Sequence, residues 1–466
     1  MSSTGVPAPS PARLGWLDAL RGWAALVVVG FHLSPQILGT ERHLAIMRFI
    51  DLGKYGVLLF FLVSGYVIPM SLERHGSLRR FWIGRLCRIY PAYLATIAVV
   101  GILVATGLMS WQASLRAETV TGVLAHATMT PDLLGLRGAV RVFWTLAYEM
   151  TFYLVVAGLF AWRLHRHSAL FAAGLALTGL LLGNHLPDDL LGGTFADRRL
   201  LAGVLAIVFA LSITAYLKRR LVRLAGAAGI AMLLVPALNG HATANSTVIA
   251  SWQGLLFLAV MFAGTVVYRV QHGQIRRSVA IASLSVVTLS VIGAHATNGV
   301  APRTWAINVA AVAGTFLLAY AWRQRTVPGF LTWLGQISYS LYLLHAVVLV
   351  MLPRIGADLA AWPAPARVAG GLAYLAVALT LAWLCYRFVE RPGQALGRWV
   401  TSRPLGATAR PADLSSGPEP ASGRSVERYL GKRRAPDQSR RAGTADGATQ
   451  SAVSRTGRGE NERRSV

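Results

Sequence analysis

Two cysteines, Cys87 and Cys385, are all that the 466 residues contain. A disulfide framework and a cysteine-based zinc site are both excluded at that count, and no metal site is expected. Charge is scarce as well. Asp, Glu, Lys and Arg make up 14% of the chain, against about 25% in an ordinary soluble domain. Acidic residues are the scarcer sign, 19 against 45 basic ones, for a formal net charge of +26. Such an excess would fit a nucleic-acid binder if the basic residues formed a patch or stripe. They instead punctuate long apolar runs, so no nucleic-acid partner is expected. Lysine is nearly absent, 3 residues against 42 arginines. With abundant Ala and Gly, that skew points to a GC-rich bacterial genome.

What the chain has in excess is apolar surface, 54% hydrophobic residues and a mean hydropathy of +0.50. A helix crosses a bilayer with roughly 17–25 apolar residues. Twelve stretches approach or reach that length: 16–36, 55–71, 89–110, 143–162, 168–183, 200–217, 221–238, 249–268, 278–294, 304–322, 333–352 and 368–388. The predicted fold is therefore all-α, a polytopic transmembrane bundle of about ten to twelve helices, with 168–183 and 278–294 the weakest segments. Loops 72–88, 163–167, 218–223, 269–277 and 323–325 hold 16 Lys and Arg in 40 residues, whereas the opposite loops hold 11 in 100. Cytoplasmic loops carry the basic excess. The expected site is thus the inner or plasma cell membrane, surrounded by membrane lipids, with both termini cytoplasmic. Residues 1–13 are rich in Ser, Pro and Ala and are predicted to be disordered. The membrane domain spans 14–400. The tail 401–466, with 13 basic and 7 acidic residues and almost no aliphatic content, is predicted to be a disordered basic cytoplasmic segment.

Ionisable side chains within apolar spans are costly and are candidates for function. The first span holds Asp18, Arg21 and His32. Eleven residues at 100° each bring Arg21 and His32 to within about 20° on one helix face, roughly 16.5 Å apart along the axis. Asp18 lies one turn before Arg21 and can pair with it. Snorkelling of Arg21 and a helix–helix hydrogen bond from His32 are the competing structural readings. The fourth span carries the lone carboxylate Glu149, followed one turn later by Tyr153. In the eleventh, Ser338, Tyr342 and His345 fall at i, i+4 and i+7, a polar stripe on one face. The predicted topology puts His32, Glu149 and His345 in the middle-to-outer bilayer, where one polar cavity could hold all three. Arg21, Arg85 and Arg88 fall below them, forming a cationic cytoplasmic mouth. Cations suit a phosphorylated ligand, and a histidine beside a carboxylate suits removal of a hydroxyl proton. A donor with phosphates at one end and its reactive group on a long arm, such as acyl-CoA, has the matching shape.

Six elements in order then resemble the acyltransferase family 3 of polytopic membrane proteins. They are Leu17-Asp18-Ala19-Leu20-Arg21-Gly22 with the spacing to His32, the run Tyr55 to Tyr66, and Arg85-x-x-Arg88-x-x-Pro91. Phe143-Trp144 to Tyr153, Ser338-Tyr339-x-x-Tyr342-Leu343-x-His345 and Glu390-Arg391-Pro392 complete the set. The resemblance implies transfer of an acyl group, often acetyl, from cytoplasmic acyl-CoA as a co-substrate, with no permanently bound cofactor. The acceptor it implies is a hydroxyl on a glycan, a lipid-linked sugar or a glycosylated secondary metabolite such as a macrolide. Carried onto matching positions, it makes His32 and Glu149 catalytic, and it gives acyl-CoA to Arg21, Arg85 and Arg88. Asp18, Tyr153, Ser338, Tyr342 and His345 become pocket residues. Family members with a fused extracytoplasmic hydrolase-like domain exist; nothing after residue 400 has the composition to fold as one, so the stand-alone form is expected. The loops 111–142 and 184–199 are the expected acceptor-side discriminators. The alternative reading is a transporter or flippase of a polar or glycosylated small molecule, which predicts polar residues along a whole transbilayer path.

Overall fold

The computed structural model describes residues 15–240 and 243–402. The segment 1–13 and all but the first two residues of 401–466, both expected to be disordered, lie outside the described residues. Those described contain helices and no strand. The principal helices are α1 (Gly15–Leu38), α2 (Leu52–His75), α3 (Leu78–Ala105), α4 (Trp144–Ala161) and α5 (Ser168–Leu181), then α6 (Phe195–Lys218), α7 (Val222–Ala231) and α8 (Ser251–Gln271). They continue with α9 (Arg277–Thr297), α10 (Pro302–Ala321), α11 (Gly329–Met351), α12 (Ala364–Cys385) and α13 (Arg391–Ser402). Among the described residues, ten helical stretches are long and apolar enough to cross a membrane, and the chain is a multi-pass membrane protein. All twelve expected segments are helical. Two of them, α5 with 14 residues and α7 with 10, are shorter than the rest. Helix α5 packs along α8, with Phe171 stacked on Phe262 at 5.6 Å and Gly179 against the Trp252 carbonyl.

Helices α4 and α8 form the centre of the bundle. Their most apolar windows are 94% and 83% buried, against 22% for the stretch that includes α12. Without a hydrophobic drive between helices in lipid, close packing decides which ones associate. Glycines supply it here. A Cβ on Gly65 of α2 would sit 1.7 Å from the Met261 carbonyl of α8, and one on Gly264 would sit 2.0 Å from the Leu62 carbonyl. Thr265 Oγ1 donates to the Gly65 carbonyl across the same contact (2.8 Å). A second backbone approach joins α1 to α11, where a Cβ on Gly335 would fall 2.0 Å from the Asp18 carbonyl.

Two local features differ from the expected layout. Helix α3 starts at Leu78, well before the expected span at 89, so Arg85 and Arg88 are helical residues rather than loop residues. Gly76, left-handed at φ 58°, closes α2, and Ser77 then caps α3 by accepting the Arg80 amide (3.4 Å). A hydropathy sum discounts residues 78–88 because of their arginines, although the cap and the turn glycine already start the helix there. The second feature is the connection before α4. It lies in the stretch 111–142, read as a loop on the side opposite the basic loops, yet residues 128–136 are all buried. Asn239 Nδ2 donates to the Leu133 carbonyl (2.6 Å), and the Thr247 amide donates to Asp132 Oδ1 (2.8 Å). Helix α4 therefore begins inside the protein rather than at its outer surface.

Candidate active site

An open cavity lies between α1, α2, α3, α4 and α11. Arg21, Arg85, Arg88, Glu149, Tyr153, Ser338 and Tyr342 all line it. Sequence reasoning thus named seven of its residues. It missed the apolar wall from α2, Val57, Phe60 and Phe61, and the polar members Ser64, Thr145 and Tyr339. The run Tyr55 to Tyr66 had marked α2 without indicating which of its faces lines a site.

Three guanidinium groups and one carboxylate are the charged groups in this lining. Arg21 lies in the field of Arg88, Asp18, Arg85 and Glu149. Arg85 is 8% exposed, and its guanidinium carbon stands 5.6 Å and 5.5 Å from the ring centres of Phe81 and Tyr153. Aromatic faces stabilise a cation there while leaving its N–H donors directed elsewhere. The Glu149 carboxylate is held within the wall: its Oε1 accepts from the Tyr153 hydroxyl (2.6 Å) and from Ser64 Oγ (3.3 Å). The cavity is therefore net cationic, a setting for an anion with several oxygens.

The histidines stand together beside this cavity rather than in it. His345 Nε2 is 3.3 Å from His32 Nδ1. His32 Nδ1 is also 3.0 Å from the Val28 carbonyl, and His345 Nδ1 is 3.1 Å from the Leu341 carbonyl. A carbonyl oxygen only accepts, so in neutral rings both Nδ1 atoms carry the proton. The His32 Nδ1–H then also faces the lone pair of His345 Nε2. What remains is His32 Nε2, with an unprotonated lone pair. His345 is fully buried, and its backbone carbonyl accepts from the Tyr374 hydroxyl of α12 (3.0 Å).

Tyr342 separates the two regions. It lines the cavity, and its ring centre is 6.0 Å from that of His345 and 5.6 Å from that of Phe60. Its hydroxyl donates to the Val142 carbonyl (3.0 Å) and meets Thr145 Oγ1 at 2.9 Å. Ser338 Oγ donates back to the Gly335 carbonyl of its own helix (2.8 Å). Asp18 lies behind Arg21, outside the lining.

The expectation that Glu149 would share a cavity with His32 and His345 is corrected by this geometry. Glu149 joins the arginines. Its depth had been counted from an outer end of α4 at the membrane surface, and the buried approach through residues 128–136 removes that assumption. Among the described residues, no group of three His, Cys, Asp or Glu is placed to hold a metal ion.

Fold and site together define a multi-pass membrane protein with a cationic internal cavity beside a histidine pair of which His345 is fully buried. Residues 14–187 match the acyltransferase domain family, the one the sequence motifs resemble. The matched stretch contains Arg21, His32, Arg85, Arg88 and Glu149; the α11 residues lie beyond it. Acyltransferase MdmB of Streptomyces mycarofaciens is 30% identical over 158 residues, 31% of this chain and 39% of its own length. Nodulation protein 10 of Rhizobium leguminosarum bv. viciae is 34% identical over 28% of this chain and 40% of its own. Peptidoglycan O-acetyltransferase OatA of Listeria monocytogenes is 29% identical over 30% of this chain and 23% of its own. The chain thus spans about two fifths or less of the length of these relatives. No solved structure matches the chain.

Proposed function

We propose that this protein is a membrane O-acyltransferase. It takes an acyl group, acetyl in the first instance, from acyl-CoA on the cytoplasmic side and passes it to a hydroxyl of a glycan, a lipid-linked sugar or a glycosylated metabolite. The observation that carries this reading is the free lone pair on His32 Nε2, set by the hydrogen bonds of Nδ1, next to a cavity with three arginines. The arginines bind the phosphates of the donor, and the acyl-bearing arm reaches past Tyr342 toward the histidines. His32 Nε2 takes the proton of the acceptor hydroxyl as its oxygen attacks the thioester carbonyl. The C–O bond forms, the C–S bond breaks, and the thiolate recovers the proton from His32. His345 Nε2 accepts the hydrogen bond from His32 Nδ1–H, which keeps the ring oriented and stabilises it while it is positively charged. Glu149 fixes Tyr153 and balances the arginines. The relatives named as acyltransferases, and OatA as a peptidoglycan O-acetyltransferase, support a carbohydrate hydroxyl as acceptor. The basic loops support a cell-membrane protein with cytoplasmic termini.

The test is the purified protein in lipid vesicles with labelled acetyl-CoA and a panel of glycan and glycosylated-metabolite acceptors, wild type beside His32→Ala. Acceptor-dependent CoA release and label transfer, lost in a folded His32→Ala, is the expected result. Flux of an acceptor across the vesicle with no consumption of acyl-CoA of any chain length would instead establish a transporter.

A further inference from the structure

Helix α12 passes into α13 through the π-helical turn Tyr386–Glu390. Such turns insert an extra residue into a helix and re-aim the side chains that follow; they recur at functional sites. Here the turn leaves Phe388 68% exposed and brings Glu390 to 1%. A buried carboxylate requires hydrogen bonds and a nearby positive charge. Glu390 Oε2 accepts from Ser340 Oγ (3.0 Å), and Oε1 accepts from Gln394 Nε2 (3.0 Å). The cations that act on it are Arg88 first and Arg21 second. Glu390 does not line the cavity; it stands behind the arginines that do. The next turn of α13 is pressed onto the same part of α3. A Cβ on Gly393 would lie 2.6 Å from the Cys87 carbonyl, and one on Gly397 would lie 2.9 Å from Cys87 Cβ. Cys87 sits between Arg85 and Arg88, so this small-x-x-x-small contact fixes the helix that carries both.

We propose that Glu390 is a positioning residue for the donor site. Its charge holds Arg88, against repulsion from Arg21 and Arg85, in the place where a phosphate of the donor is bound. The proposal rests on reading the cavity as the acyl-CoA site.

Glu390→Gln keeps the size and hydrogen-bonding capacity of the side chain and removes its charge. Binding of labelled CoA to the full-length protein in vesicles and steady-state kinetics are measured for Glu390→Gln, Glu390→Asp and Arg88→Ala. The sign is decisive. Removing a negative charge near a cationic site tightens anion binding by Coulomb's law alone, whereas loss of positioning weakens it. The expected result is weakening of CoA binding and a matching rise in acetyl-CoA KM of about five- to tenfold. kcat should stay within about twofold, Glu390→Asp should restore part of the loss, and the effect should vanish in an Arg88→Ala background. Unchanged or tighter CoA binding in Glu390→Gln overturns the proposal. So does failure of both Glu390 variants to give folded protein, since the carboxylate then serves the fold rather than the site. If Arg88→Ala itself binds CoA like wild type, the donor-site reading fails instead.

Discussion

His345 Nε2 lies 3.3 Å from His32 Nδ1, although the two residues are 313 positions apart in the chain. The same offset separates Gly335 from Gly22, where α1 and α11 approach so closely that a Cβ on Gly22 would meet the Gly335 amide nitrogen at 2.8 Å. Equal offsets ten residues apart mean that the two helices run parallel and in register. Glycine packing near one end therefore fixes the histidine contact near the other.

That register separates the roles of the two rings. On the proposed mechanism His32→Ala removes the base and should lower kcat by about 10²–10⁴-fold. His345→Ala removes one of the two acceptors of His32 Nδ1–H and leaves the Val28 carbonyl, so it should cost less, with acetyl-CoA KM little changed in both. Single-turnover acyl transfer with saturating donor measures the difference. An equal or larger loss in His345→Ala would move the catalytic base to His345.

Arg85 and Arg88 should behave differently from the histidines. Each is expected to donate charge-assisted hydrogen bonds worth about 1.5–3 kcal/mol to a phosphorylated ligand. Alanine at either position should therefore raise acetyl-CoA KM by about 10- to 100-fold, with a smaller effect on kcat. Lysine should rescue only in part, because it lacks the planar fork that meets two oxygens. Kinetics against donor concentration in vesicles is the readout.

The face relationships were legible in the sequence. The i, i+4, i+7 spacing of Ser338, Tyr342 and His345 puts Ser338 and Tyr342 on the cavity and His345 directly beyond it. The location of Arg21 on the His32-bearing helix was legible for the same reason, since helix phase is a local property. Which groups meet across helices was not. Glu149 meets Ser64 of α2 near the arginines, because the chain before α4 is buried, and no count along one helix reveals that. Glu390 was visible only as part of a motif. Its burial depends on a π turn, which breaks the 100° periodicity on which face arguments rest.

The glycine contacts give a stability prediction with an internal control. Gly65→Ala and Gly335→Ala would drive a methyl group to 1.7 Å and 2.0 Å from backbone carbonyl oxygens of neighbouring helices. Backbone cannot swing aside as a side-chain tip does, so each should cost at least about 1–3 kcal/mol. Gly84 has nothing within 4 Å of its Cβ position, and Gly84→Ala should be neutral or slightly stabilising through helix propensity. Thermal unfolding in detergent, followed by size-exclusion profile, should separate the first two variants from the third.

Asp132 supplies a pH dependence of known sign. It is 2% exposed in the turn before α4, and burial pushes its carboxyl up to about 6 despite the Thr247 amide and the field of Lys54. In the unfolded chain an aspartate titrates near ~4. Between those values the folded protein holds the proton and the unfolded chain has released it. Stability from this group is therefore full below pH ~4 and is lost as pH rises through about 6. Asp132→Asn is neutral throughout and still offers an oxygen to the Thr247 amide. Relative to wild type, the Asn variant should gain stability across that window and hold the gain at pH 7. Melting temperatures of both proteins from pH 4 to 7 provide the measurement, taken as a difference so that other titrating groups cancel. A constant difference across the window would mean that the Asp132 carboxyl titrates at the same pH folded and unfolded.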